Sequence, residues 1–424
     1  MAALTVAKIT EPFDIAIDLP GSKSIALRQL AMCALTNETT TLHGIPACDD
    51  TEAMLDCLEQ LGLQITRQGK AIVVKGPMTR SEDVVLNARM SGASTRLLIG
   101  LASLRSGTTH IDGHRSLQAR TNGPLLETLA DLGCSVVSPD HGGLPVAIKG
   151  GLNPHRSLQI NGSLSSQYIT ALLIVLPLLG QDTLVEITGD LVSKPYIDIT
   201  INEMAKRGAH AIWRDTNIIE VSAGSYRGGQ HQVEGDATAA TYVSGLATLH
   251  RSRVRLNNLG YATHQGDYQF LSILEKLGAS VQREPAFTHI QGPDKLSRLG
   301  SIDMTEMPDA ALTLIAMAPL LPGETRITGL SSLHHKECDR LECPAREMLA
   351  MGIALTTQHD SFTTHTVLPE AIKPHRLSTY HDHRMAMAFS LLGSMTGTVT
   401  IDDERVVDKT YPAFWNDYNK TLSL

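Results

Sequence analysis

The sequence predicts an α/β protein of two domains, built from six βαβαβ-type repeats with three per domain. Two observations carry this. A small polar cluster followed by a helix-length apolar run recurs at Ser22-Lys23-Ser24, Gly92-Ala93-Ser94, Ser165-Ser166, Asp236-Ala237-Thr238, Asp309-Ala310-Ala311 and Asp382-His383-Arg384. Their last members lie 70, 72, 72, 73 and 73 residues apart, and a period this regular means one folding unit used six times. The 424 residues also exceed what one core holds, so domains of about 200 residues are expected. The glycine-rich stretch 225–235 (SYRGGQHQVEG) reads as the hinge. One domain is expected over 18–231, the other from 1–17 together with 232–424.

In the first repeat, Leu19-Pro20-Gly21 breaks the chain, and Ser22 or Ser24 is set to cap a mostly buried helix over 25–35 (IALRQLAMCAL). The β-branched run 39–44 (TTTLHG) reads as a strand. Residues 50–61 (DTEAMLDCLEQL) put Met54, Leu55, Leu58 and Leu61 on one helical face and acids on the other. Gly62 stops that helix and 63–65 resume a strand. The stop glycine returns as Gly133, Gly208, Gly278 and Gly352, and middle strands return at 108–111, 184–187, 254–256, 325–327 and 398–401.

Hydrophobic content of 42% and charged content of 19% fit an ordinary globular protein. Aromatic residues at 4% and a net charge of −8 argue against base-stacking modules and polyanion surfaces, so no nucleic-acid partner is expected. The six cysteines show no zinc spacing and read as reduced thiols. No signal segment or membrane-length apolar run is visible, which predicts a cytoplasmic protein without a membrane partner. His334-His335 lacks a completing carboxylate, so no metal is expected.

Cations and hydroxyls gather at the repeat openings. Lys23, Ser24 and Arg28 belong to the first, Arg96 and Arg120 to the second, and Ser165, Ser166, Gln167, Ser193 and Lys194 to the third. Asp309, Lys336, Glu337, Asp339 and Arg340 belong to the fifth, and Asp382, His383, Arg384 and Lys409 to the sixth. Helix N-termini favour anions, Arg gives a bidentate grip and Lys a point charge, so this set suits phosphorylated, carboxylated ligands. Asp309 reads either as a helix cap or as a base, and Glu337 either as a counter-ion to Lys336 or Arg340 or as a proton relay.

The segments LPGSKS (19–24) with Arg28, SGASTR (91–96), GSLSSQ (162–167), GDLVSKPYIDIT (189–200), VEGDA (233–237), PDAA (308–311), KECDRL (336–341), DHRMAM (382–387) and Lys409 resemble, in order and over nearly the whole chain, the enolpyruvylshikimate-3-phosphate synthase family. The resemblance implies an inside-out α/β barrel fold whose two domains close on substrate, with the site in the cleft between them. It implies transfer of the enolpyruvyl group of phosphoenolpyruvate to shikimate 3-phosphate, a shikimate-pathway step of aromatic amino acid biosynthesis. The reaction passes through a tetrahedral intermediate and needs no cofactor; a two-domain clamp needs no partner, so a monomer is the default expectation. By resemblance, Lys23, Ser24, Arg28, Ser165, Ser166, Gln167, Ser193, Tyr196, Asp309, Ser332 and Lys336 bind shikimate 3-phosphate. Lys23, Gly92, Arg120, Gln167, Arg340, Arg384 and Lys409 bind phosphoenolpyruvate, while Lys23, Asp309 and Glu337 transfer protons.

The chain departs from the family pattern at Met90 and Ala93, where asparagine and threonine are usual, at Leu97 and Thr121, where proline is common, and at Ser332, usually asparagine. Cys338 replaces a usual threonine and reads by default as a packed thiol, with alkylation near the pocket as the alternative. These changes leave open a paralogue acting on another phosphorylated cyclic alcohol, or a non-catalytic anion-binding relative. The related UDP-sugar enzyme carries a loop cysteine that 110–125 lacks.

Overall fold

Six helices open the repeats, and the computed structural model, which describes residues 3–422, places them at the core. They span Lys23–Cys33, Gly92–Ala102, Ser166–Val175, Ala237–Leu249, Ala311–Met317 and His383–Thr396. Their sequences are small or apolar on nearly every side, and such a helix is stable only when surrounded by protein. Every residue of Ala237–Leu249 is accordingly buried. Ser91, Ser165, Asp236 and Asp382 cap their helices with side-chain oxygens. Ser22 precedes the first helix but makes no cap bond.

The chain divides into two compact units, one of Gly21–Val233 and the other of the segment ending at Pro20 with everything from Glu234 on. In the first, the helices Lys23–Cys33, Gly92–Ala102 and Ser166–Val175 pack together with Lys194–Lys206. Gly100 permits the approach, since a Cβ there would stand 2.7 Å from the Ala171 carbonyl oxygen. In the second, Ala237–Leu249, Ala311–Met317 and His383–Thr396 pack together, and the Thr241 and Thr313 hydroxyls meet at 2.8 Å. Each unit thus has helices inside and half-exposed sheets outside.

Among the described residues, five sheets have four strands and one has three. In the second repeat, Val84–Asn87 enters parallel to Thr108–Asp112, which pairs antiparallel with Val146–Lys149, and Ser135–Val137 takes the outer edge. The single closing strand expected from sequence is therefore a hairpin. The outer arm cannot reach the middle strand, and a second arm such as Ala71–Lys75 fills the gap. The stop glycines Gly62, Gly133, Gly208, Gly278 and Gly352 all adopt positive φ, 81° to 104°, a conformation costly for other residues.

Two sheets take a strand from far along the chain. Gly229–Gln232 runs parallel to Thr39–His43, and Asp14–Ile17 parallel to Arg253–Leu256. The stretch read as a hinge therefore contains a strand of the first unit's own sheet. The seams fall at Pro20/Gly21 and Val233/Glu234, three and two residues beyond the expected positions. Val233 N–H donates to His43, whereas Leu19 exchanges two hydrogen bonds with Asn258, and these bonds decide which side each residue joins.

Candidate active site

The unit that contains Glu234 onward gathers Asp309, Lys336, Glu337, Arg340, Asp382, Arg384 and Lys409 into one connected set. Asp309 lies in the turn before Ala311–Met317 and does not cap that helix, whose cap residue is Ala310. Its Oδ1 instead meets Lys336 Nζ and Arg340 Nη1, both at 3.2 Å, and its Oδ2 meets Arg384 Nη2 at 3.0 Å. Glu337 bridges Arg340 Nη2 at 2.7 Å and Lys409 Nζ at 2.9 Å. Lys336 thus serves Asp309 rather than Glu337.

Asp382 anchors the set from within, accepting Arg340 Nε at 2.7 Å while capping its helix by accepting the Arg384 N–H. The chain reaches it through Tyr380 and His381, both at positive φ (52° and 58°), a conformation costing about 1–2 kcal/mol per non-glycine residue. The Tyr380 hydroxyl donates to Glu347 at 2.6 Å and helps hold this turn. Burial pulls the Arg340 pKa down, but Asp382, Glu337 and Asp309 outweigh it, so the guanidinium stays charged at 1% exposure. Four cations thus face three carboxylates, and the positive charge is held in fixed geometry before any anion arrives.

The Gly21–Val233 unit holds a second group. Lys23 Nζ pairs with Asp50 at 3.1 Å. Arg96 donates to the carbonyls of Gly92 and Thr121. Gly92 is the point of closest approach: a Cβ there would stand 2.6 Å from Arg96 Nη1 and 2.8 Å from Arg120 Nη1. Ser165 accepts the Gln167 N–H at the opening of Ser166–Val175, and the Gln167 Oε1 is buried with no hydrogen-bond partner.

Ser193 precedes Lys194–Lys206 at φ 57° without using its hydroxyl as a cap. Arg28 is buried, and burial lowers its pKa to about 10. It donates to Ser24 and Tyr196 carbonyls and to Thr170 and Thr200 hydroxyls. It therefore ties the first and third openings together, with most of its donors committed inside the protein.

Some expected residues go elsewhere. Lys194 pairs with Asp198 at 2.9 Å and lies over the Trp213 ring. His334 bonds Asp339 and the His359 carbonyl and stacks on His359. Ser332, by contrast, lies in the turn Ser331–His335 that leads directly into Lys336. The Cys338 thiol is pushed up by Cys343 and by burial, so it is the less reactive of the two; Cys343 is lowered by its hydrogen bond with Cys338.

Three residues escaped sequence reading. Asp50 falls among the acids of its helix's polar face by periodicity but is 2% exposed and holds Lys23. Tyr242, on an apolar helix, accepts from Arg384 Nη1 at 3.2 Å. Asp267 is buried near Asp309 and Arg384. Only the repeat alignment, which sets Thr238 and its neighbours equivalent to the other openings, could have signalled the last two.

Fold and charge arrangement together define a repeat-built α/β protein with a cation-rich cluster in which carboxylates are embedded. A sequence model of the EPSP synthase family (3-phosphoshikimate 1-carboxyvinyltransferase) matches residues 8–418, and the chain belongs to that family. A relative from Halalkalibacterium halodurans, "3-phosphoshikimate 1-carboxyvinyltransferase 2", is 34% identical over 96% of this chain and 92% of its own. One from Nostoc, "3-phosphoshikimate 1-carboxyvinyltransferase", is 30% identical over the full length of both. A solved structure of EPSP synthase from Acinetobacter baumannii superposes with a TM-score of 0.80 at 24% identity, covering 99% of this chain and 98% of its own, a likeness of fold.

Proposed function

We propose that this protein transfers the enolpyruvyl group of phosphoenolpyruvate to the 5-hydroxyl of shikimate 3-phosphate and releases inorganic phosphate. The observation that carries the reading is Asp309 held by Lys336, Arg340 and Arg384 at 3.0–3.2 Å, a carboxylate fixed among the cations an anionic substrate pair needs. The substrates are small molecules. Among the described residues no helix is long and apolar enough to cross a membrane; a cytoplasmic monomer is part of the proposal.

The chemistry follows from the substrates. The acceptor hydroxyl loses a proton as its oxygen bonds to the enol carbon, and the methylene gains a proton to become a methyl group. Loss of phosphate and of one methyl proton then restores the double bond. In this reading Asp309 takes the hydroxyl proton. Glu337 exchanges the methylene proton: an anion drawing Arg340 and Lys409 to itself would take cations from Glu337 and favour its protonated form. Lys23, steadied by Asp50, assists proton transfer and holds phosphate with Gly92, Arg120, Gln167, Arg340, Arg384 and Lys409. Ser24, Arg28, Ser165, Ser166, Ser193, Tyr196, Ser332 and Lys336 hold shikimate 3-phosphate.

The test is phosphate release with phosphoenolpyruvate and shikimate 3-phosphate, run beside shikimate and a UDP-sugar as acceptors. Release with the first acceptor alone is expected. Release with the UDP-sugar, or with none of the three, overturns the assignment.

A further inference from the structure

Asp267 lies in the single turn Gly266–Gln269 against the opening of Ala237–Leu249 and is 6% exposed. Its Oδ2 accepts the Thr238 hydroxyl, and its Oδ1 is buried without a hydrogen-bond partner. The charged groups that act on it are Asp309 before Ala311–Met317, Arg384 on His383–Thr396 and Asp236 at the cap of Ala237–Leu249. A carboxylate so placed has one neutral donor, and leaving its other oxygen unsatisfied in the interior disfavours the charged form. Arg384, the cation in reach, already pairs with Asp309. Burial first, and the Asp309 charge second, push Asp267 up to about 7.

Resting on the reading of the site given above, we propose that Asp267 is a positioning residue that stays a neutral carboxylic acid and so leaves Arg384 to Asp309 and the anionic substrate. Once ionised, it competes with Asp309 for Arg384 and adds negative charge beside the phosphate clamp. Both effects weaken phosphoenolpyruvate binding in the same direction. Asp267→Asn keeps the shape and Thr238's partner and cannot ionise.

The experiment compares wild type with Asp267→Asn from pH 5.5 to 9. The wild-type KM for phosphoenolpyruvate rises relative to the variant's as pH passes about 7, reaching about tenfold, the equivalent of one pKa unit of coupling. Parallel KM profiles overturn the proposal. Thermal stability supplies a readout independent of activity. Because the folded protein holds this proton up to about pH 7 and the unfolded chain up to about 4, wild type loses stability relative to the variant as pH rises between those values. A pH-independent difference in Tm also overturns the proposal. If the variant does not fold, carbon-13 titration of wild-type aspartate carboxyls decides: an aspartate titrating near neutrality supports the proposal, and none there overturns it. A stability effect without phosphate release in either protein would keep the neutral Asp267 and reject the assigned reaction.

Discussion

Asp382 grips Arg340 with both oxygens, Oδ2 accepting Nε at 2.7 Å and Oδ1 accepting Nη2 at 3.2 Å, while the same Oδ1 accepts the backbone N–H of Arg384. One buried carboxylate therefore aims two arginines. Removing one partner of a buried pair strands the other charge, so Asp382→Ala is expected to cost about 3–5 kcal/mol. Urea unfolding measures this, and a midpoint unchanged from wild type contradicts the anchoring role.

Asp309→Ala removes the group assigned to deprotonate the acceptor, yet touches a half-exposed turn. Turnover should fall by about 10²–10⁴-fold with the circular dichroism spectrum unchanged. Steady-state phosphate release checks it; near-normal turnover eliminates Asp309 as the base.

Gly92→Ala forces a methyl group against Arg96 and Arg120, since the Cβ would lie 2.6 and 2.8 Å from their Nη1 atoms. Arg120 is the less buried and should move. The expected result is a KM for phosphoenolpyruvate raised about tenfold, or 1.4 kcal/mol of lost binding, with little change in the KM for the other substrate. Equal loss for both substrates would separate Gly92 from the phosphoenolpyruvate clamp.

His250, 2.8 Å from the Ser394 hydroxyl, has its pKa lowered to about 4 by burial and by Lys8. The unfolded chain binds this proton near pH 6.5, so stability is lost as pH falls from there to about 4, by about 3 kcal/mol. His250→Gln should lose less over the same interval. Urea midpoints at pH 7 and pH 4.5 make the comparison, and identical losses refute it.

The thiols should sort by environment. Burial pushes Cys57 up to about 12 and Cys134 up to about 11, and raises Cys33 and Cys48 as well. Iodoacetamide at pH 8 is expected to modify Cys343 first and to spare these four until the protein unfolds, as mass spectrometry would report. Early labelling of Cys57 would contradict this burial.

Much of the architecture was legible along the chain because its signals are local. The opening helices, the middle strands and the five stop glycines each depend on residues a few positions apart, and each stands within a residue or two of its expected place. The closing hairpins were not legible, because arms such as Ala71–Lys75 are identified by the sheet that receives them. Asp50 read as a surface acid for the same reason: helical periodicity gives the face of a residue but not what covers it.

The sequence by itself determined the sixfold period, the residue types at each helix opening and membership in a family of anion-handling transferases. Only the tertiary structure decided which charges meet. Arg384 finds Asp309 from 75 residues away, Lys409 finds Glu337 from 72, and Arg28 reaches Thr200 from 172. The physical reason is that an ion pair or a buried carboxyl takes its free energy from distance and desolvation, and neither exists until the chain has folded.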